Sequence, residues 1–185
     1  MLNYGKRLTA AAGVIVTAGA VAIGGLTAAS ASPAARYAAQ PAARTAHATA
    51  RAAVSGTEHF QLMSTSATSN KSKIIATGVF TAGGVDHGGN RVDKVVFPGG
   101  TFKIRHSPGH GPQRFNPRTC LGVIHQHGTY RIGHGTGRFA GIRGHGRYRV
   151  SILLIGARNA NGKCSQRKPP RVFEEIIKAR GPVRL

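Results

Sequence analysis

The chain has 185 residues, which leaves room for one domain of ordinary size. Its 26 Lys and Arg against five acidic residues give a formal charge of +21, so polyanions are natural partners and carboxylate pairs for acid–base chemistry are few. Two cysteines far apart in sequence exclude a CxxC-type metal site, and the few scattered aromatics exclude the stacking platforms of single-stranded nucleic-acid binders.

The N-terminus reads as an export signal. "MLNYGKR" is a short basic segment, "LTAAAGVIVTAGAVAIGGLTA" is apolar, and Ala29-Ser30-Ala31 fits the small-x-small cleavage rule. This predicts a signal peptide over residues 1–31, a cut before Ser32, and a secreted, extracellular protein with no stable membrane insertion after cleavage. Loss of Lys6 and Arg7 would leave a charge of +19. Residues 32–55 are dominated by Ala, Arg, Thr and Pro without apolar periodicity, which predicts a disordered spacer. Arg36, Arg44 and Arg51 are spread through it.

Residues 56–185 read as β throughout. "FQLMSTSAT" and "KIIATGVFTA" are strand-like and are separated by the turn cluster "SNKS". "GGVDHGGNR" is expected to be a loop flanked by Asp86 and Asp93, which are either solubilising residues or, with Glu58, the carboxylates available for acid–base chemistry at a cavity mouth. "VDKVVF" and "TFKIRH" are strands across the turn "PGG", and "SPGHGPQRFNPR" is a long loop. "CLGVIHQHGTYRI" and "GRYRVSILLIGA" are the two longest strand candidates. "RNANGKCSQRKPP" is a second long loop. "VFEEIIKAR" fits a helix face or a strand; strand is favoured, with "GPVRL" as a terminal strand. About eight strands and no definite helix imply a sandwich or a closed barrel. An even cysteine count in an exported chain predicts a Cys120–Cys164 disulfide.

Alternation assigns the faces of the two long strands. Ile124, Gln126, Tyr130 and Ile132 share one face, with His125, His127, Thr129 and Arg131 on the other. Ile142, Tyr148, Val150, Ile152 and Leu154 share one face, with Arg143, His145, Arg147 and Arg149 on the other. Paired as a hairpin about the Gly-rich stretch, the strands would line one core and present one basic patch, the glycines bending the chain between them. Gln126, Tyr130 and Tyr148 then become polar handles for a ligand in an apolar interior. His125, His127, Arg131, Arg143, His145, Arg147 and Arg149 become a surface for an extracellular polyanion, with salt-sensitive binding that strengthens toward about pH 6.

Sharper motifs are weaker. Gly135-Thr136-Gly137-Arg138-Phe139-Ala140 matches G-x-G-x-x-A, but alternation continues after it where a dinucleotide site needs a helix. His125-x-His127 has metal-ligand spacing, yet the neighbouring arginines repel a cation. The sequence implies no metal and no cofactor.

"GTYRIGHGTGRFAGIRGHGRYRV" resembles the strand–corner–strand signature of the dirigent and allene oxide cyclase barrels. "FPGGTFKIRHS" and "NPRTCLGVI" are similar to segments of small secreted bacterial proteins with an allene-oxide-cyclase-like domain. The resemblance covers roughly Phe60 to Leu185. It implies a single eight-stranded antiparallel β-barrel, with Gly135, Gly137, Phe139, Gly141 and Gly144 as structural positions of the corner. It also implies a central cavity for a small apolar or phenolic ligand, and an isomerase/cyclase or dirigent-like activity as the alternative to binding alone.

Overall fold

The structure is a computed structural model that describes residues 53–185; the expected signal peptide and most of the expected spacer lie outside the described residues. Nine β-segments make one antiparallel sheet: β1 (Ser55–Ser64), β2 (Lys71–Thr77), β3 (Ala82–His87), β4 (Val92–Phe97), β5 (Gly100–His106), β6 (Gln113–Asn116), β7 (Leu121–Gly133), β8 (Arg143–Ile155) and β9 (Val172–Arg184). The order is β5-β4-β3-β2-β1-β9-β8-β7-β6, and β5 also pairs with β7, which closes the sheet.

β6 is the continuation of β5 along the same partner. Lys103 faces Gly133 and His106 faces Tyr130, while Gln113 faces Ile124 and Asn116 faces Leu121. Between them the Ser107 N–H donates to the Thr129 carbonyl, and His110 bridges to His127. The register slips by one residue across this interval, as in a β-bulge. Pro108 and Pro112 interrupt the ladder there because they carry no N–H. The architecture is therefore a closed eight-stranded antiparallel barrel.

Several expected elements are corrected. "AGGVDH", assigned in part to a loop, is β3, and the loop "SPGHGPQRFNPR" contains β6. "VFEEIIKAR" and "GPVRL" form one continuous strand, β9. Strand structure begins at Ser55, inside the expected spacer.

The barrel is filled from one end. Phe60, Phe80, Phe97, Phe102 and Phe139 are buried with ring centroids 5.0–6.4 Å apart, in tilted and edge-to-face arrangements that suit the ring quadrupole. The β7–β8 corner seals this end. It makes a short 3-10 turn, Gly137–Phe139, which buries Phe139 completely. Gly137 adopts φ +57°, and a Cβ there would lie 2.1 Å from the Gly99 carbonyl oxygen.

At the other end, the mouth, the inward-facing Ile124, Gln126, Ile152, Phe173, Glu175 and Ile177 are only partly buried. The β8–β9 loop over this end is tied back by the Cys120–Cys164 disulfide, whose Cα atoms are 5.5 Å apart. Closing this 44-residue interval contributes about 4 kcal/mol in the chain-entropy model.

Phe139→Ala should cost about 3–5 kcal/mol, measured by urea unfolding, because five-ring packing leaves no neighbour free to fill the space. A loss below about 1 kcal/mol would show that the corner does not seal the core.

Candidate functional site

Strand alternation places the acidic residues where the overall charge would not suggest. Glu58 on β1, Asp86 on β3, Asp93 on β4 and Glu175 on β9 all fall on inward positions. Only Glu174, of the five, points outward. The expectation that Asp86 and Asp93 are solubilising loop residues is corrected: Asp86 is 4% exposed and stands opposite Ser72 and Val95 inside the barrel.

Three of these carboxyls gather near the mouth with a histidine and a tyrosine. His106 on β5 sets Nε2 3.4 Å from Asp93 Oδ1, which also accepts the Gly89 N–H at 2.8 Å. The hydrogen bond to Asp93 raises the His106 pKa, against the lowering effect of burial. Asp86 is pushed up to about 7, first by burial and then by the charges of Asp93 and Glu175, with His106 opposing. Burial, then Asp93, also raises Glu175. Asp86 Oδ1 is buried without a hydrogen-bond partner among the described residues. The cluster can exchange protons near neutrality and accept hydrogen bonds from a guest.

The expected interior handles occupy different depths. Gln126 faces inward, half-buried, beside Gly109. Tyr148 lies across Gly128, its hydroxyl donates to the Ser107 carbonyl at 2.9 Å, and its ring meets His106 edge-on at 6.3 Å. Tyr130 is 3% exposed and belongs to the packed core, against Phe60. Burial and the charge of Glu58 push its pKa up to about 12. Glu58 is itself fully buried and accepts the Phe80 N–H at 3.1 Å.

The glycines of 134–150 divide into two sets. Gly135, Gly137 and Gly141 make the corner. Gly144 and Gly146 sit in β8 and do not bend it: they face inward, where a Cβ would meet Val183 at 2.8 Å and the Tyr130 ring at 2.8 Å. Glycine inside and base outside thus alternate along Arg143–Arg147.

The outer face carries every residue of the expected basic patch. His125, His127 and Arg131 on β7 and Arg143, His145, Arg147 and Arg149 on β8 are exposed. Register sets all of them but His125, which faces Ser151, directly opposite other cations: Arg105 faces Arg131, Arg131 faces His145, His127 faces Arg149, Arg147 faces Arg180, Arg149 faces Lys178 and Arg143 faces Arg184. Beside them, Pro112, Arg114, Val123 and His125 line a depression of about 220 Å³. Among the described residues, the one ion pair within 4 Å is the interior His106–Asp93 contact, and no three His, Cys, Asp or Glu side chains converge as a metal set.

Sequence reasoning names Asp86, Asp93 and Glu58 as the carboxylates available for acid–base chemistry at a cavity mouth, but it places Asp86 and Asp93 beside a loop and misses His106 and Glu175 as interior groups. For Glu175 the signal was present, since Phe173, Glu175, Ile177 and Ala179 alternate inward along β9. For Asp86 the surrounding glycines masked it.

Comparison with protein-family models, with curated proteins and with solved structures returned no match.

Burial raises the pKa of Asp86, Glu58 and Glu175, so the folded state holds protons that the unfolded state releases. For Asp86 that stabilisation is complete below about pH 4 and is lost as pH rises through about 7. Asp86→Asn removes the ionisation. It should match the unaltered protein near pH 4 and be more stable at pH 8 by up to about 4 kcal/mol, read from thermal unfolding across pH. Parallel pH profiles for the two proteins would contradict this.

Proposed function

We propose that this protein is a secreted barrel that binds a small apolar or phenolic ligand through its mouth. The observation that carries the reading is the mixed lining of the mouth. Ile124, Ile152 and Ile177 supply aliphatic surface on β7, β8 and β9, where Glu175 stands directly beside Ile152, while Asp86 and Asp93 supply hydrogen-bond acceptors on β3 and β4, next to His106 on β5. An eight-stranded barrel has room for one small guest when its interior is not fully packed. A phenol would lay its ring on the isoleucines and donate its hydroxyl to a carboxylate. Asp86, poised near neutrality, could also pass a proton to such a guest. This supports the isomerase/cyclase alternative that the resemblance to allene oxide cyclase barrels implies. The disulfide and the sequence of the N-terminus support the extracellular setting.

A thermal-shift panel of apolar and phenolic compounds tests the reading. At least one phenol should raise the melting temperature, and both Asp86→Asn and Glu175→Gln should reduce that shift. No shift with any compound would refute the binding reading. If a ligand that binds is also converted, Asp86→Asn should abolish conversion while retaining part of the binding.

A second reading rests on the outer cations. Directly opposed like charges destabilise a sheet, and an extracellular polyanion would relieve that repulsion through bidentate guanidinium contacts. Replacing Arg143, Arg147 and Arg149 by Gln should weaken binding to polyphosphate far more than replacing Arg36, Arg44 and Arg51. Equal losses would reduce the patch to a net-charge effect.

A further inference from the structure

The outer face changes character along its length. Below the basic rows, toward the mouth, Leu121 faces Ile155 and Ile155 faces Val172, while Val123 faces Leu153 in the next row. Ile176, opposite Ser151 and Met63, extends this apolar collar. Leu153, Ile155 and Val172 are 42%, 40% and 48% exposed, on strands whose inward faces already have their own aliphatic lining. Glu174, opposite Leu153, lies between Val172 and Ile176 on β9 and puts one carboxylate within the collar.

A cationic loop crowns the collar. The loop joining Ile155 to Val172 carries Arg158, Lys163, Arg167, Lys168 and Arg171, all exposed. Arg158 donates to the carbonyls of Arg118 and Gly162, so it serves the loop itself. The other four have no carboxylate within ion-pair distance among the described residues. The loop holds a defined shape: Cys164 is bonded to Cys120, and the buried Ser165 hydroxyl accepts the N–H groups of Arg167 and Lys168 at 3.2 and 3.1 Å.

We propose that the mouth end docks on an anionic lipid surface, its apolar collar entering the interface and its cationic loop resting on headgroup phosphates. Apolar groups bordered by Lys and Arg are what an interfacial membrane contact requires. Charge decides against a second copy of this chain, because two such crowns would repel. A soluble polyanion would engage the crown and leave Leu153, Ile155 and Val172 in water. The barrel does not cross the bilayer in this arrangement, since the basic rows on β7, β8 and β9 could not face lipid. The docking is independent of what the interior takes.

The test is co-sedimentation of the full-length secreted protein with vesicles of phosphatidylcholine alone and of phosphatidylcholine with phosphatidylglycerol. Binding should require phosphatidylglycerol. The variant Leu153→Ser, Ile155→Ser, Val172→Ser should bind about tenfold more weakly to those vesicles, yet bind polyphosphate as the unaltered protein does. Lys163→Gln with Arg167→Gln, Lys168→Gln and Arg171→Gln should weaken vesicle binding at least as much. The chain contains no tryptophan, so Ile155→Trp gives a clean reporter whose emission should shift to the blue and be quenched by brominated lipid. Unchanged vesicle affinity in the collar variant would overturn the proposal, leaving a purely electrostatic contact. Indole emission from the Ile155→Trp variant that ignores the vesicles would overturn it too, as would a dimer in solution that the collar variant dissociates.

Discussion

The pairing of Lys103–His106 with Tyr130–Gly133 closes the sheet, and closure forces each strand residue to face either the barrel interior or its outside. A sequence with many bases and five acids must then distribute charge between two compartments of very different dielectric. Here the distribution is nearly complete. Four carboxyls go inside, and the bases of the long strands go outside. The interior group closest to a counter-charge, Asp93, finds it in His106. Asp86, whose Oδ1 has no hydrogen-bond partner among the described residues, answers burial by holding its proton to higher pH.

Packing at the sealed end makes this placement tolerable. The phenylalanine cluster supplies much of the apolar burial that a small domain needs, and Leu62, Val150 and Leu154 add to it toward the mouth. Packing also explains the glycines inside β7 and β8. Tyr148 lies over Gly128 and Tyr130 over Gly146, so two large rings fit a narrow barrel because their cross-strand partners have no side chain. A methyl group at either position would push a ring out of place, and through Tyr148 it would disturb the hydrogen bond to Ser107 beside His106.

Much of this was legible in the sequence where alternation is unbroken. The faces of β7 and β8, from His125/Gln126 to Arg149/Val150, follow from period two alone, and so does the exposed basic patch. The Cys120–Cys164 bond followed from count and context. What was not legible lies where glycine or proline carries two meanings. Gly83 and Gly84 read as a turn, yet Gly84 is in β3 because the Phe97 ring occupies the space of its side chain. That misreading hid the strand wall on which Asp86 stands. Pro108 and Pro112 read as loop, yet the chain resumes pairing with β7 beyond them as β6. Closure by β5 against β7 is a long-range fact that no local pattern carries, and without it the carboxyls of β3, β4 and β9 cannot be seen to converge.

The central claim is that Asp86 is an interior carboxyl whose titration is shifted to near neutral pH inside a strongly basic protein. Carbon-detected NMR titration of the side-chain carboxyls measures it directly. Asp86 should titrate near pH 7 in the folded protein, with its resonance responding to the state of Asp93 and Glu175. A midpoint near the ordinary carboxyl value of about 4 would contradict the account, since it would place Asp86 in water.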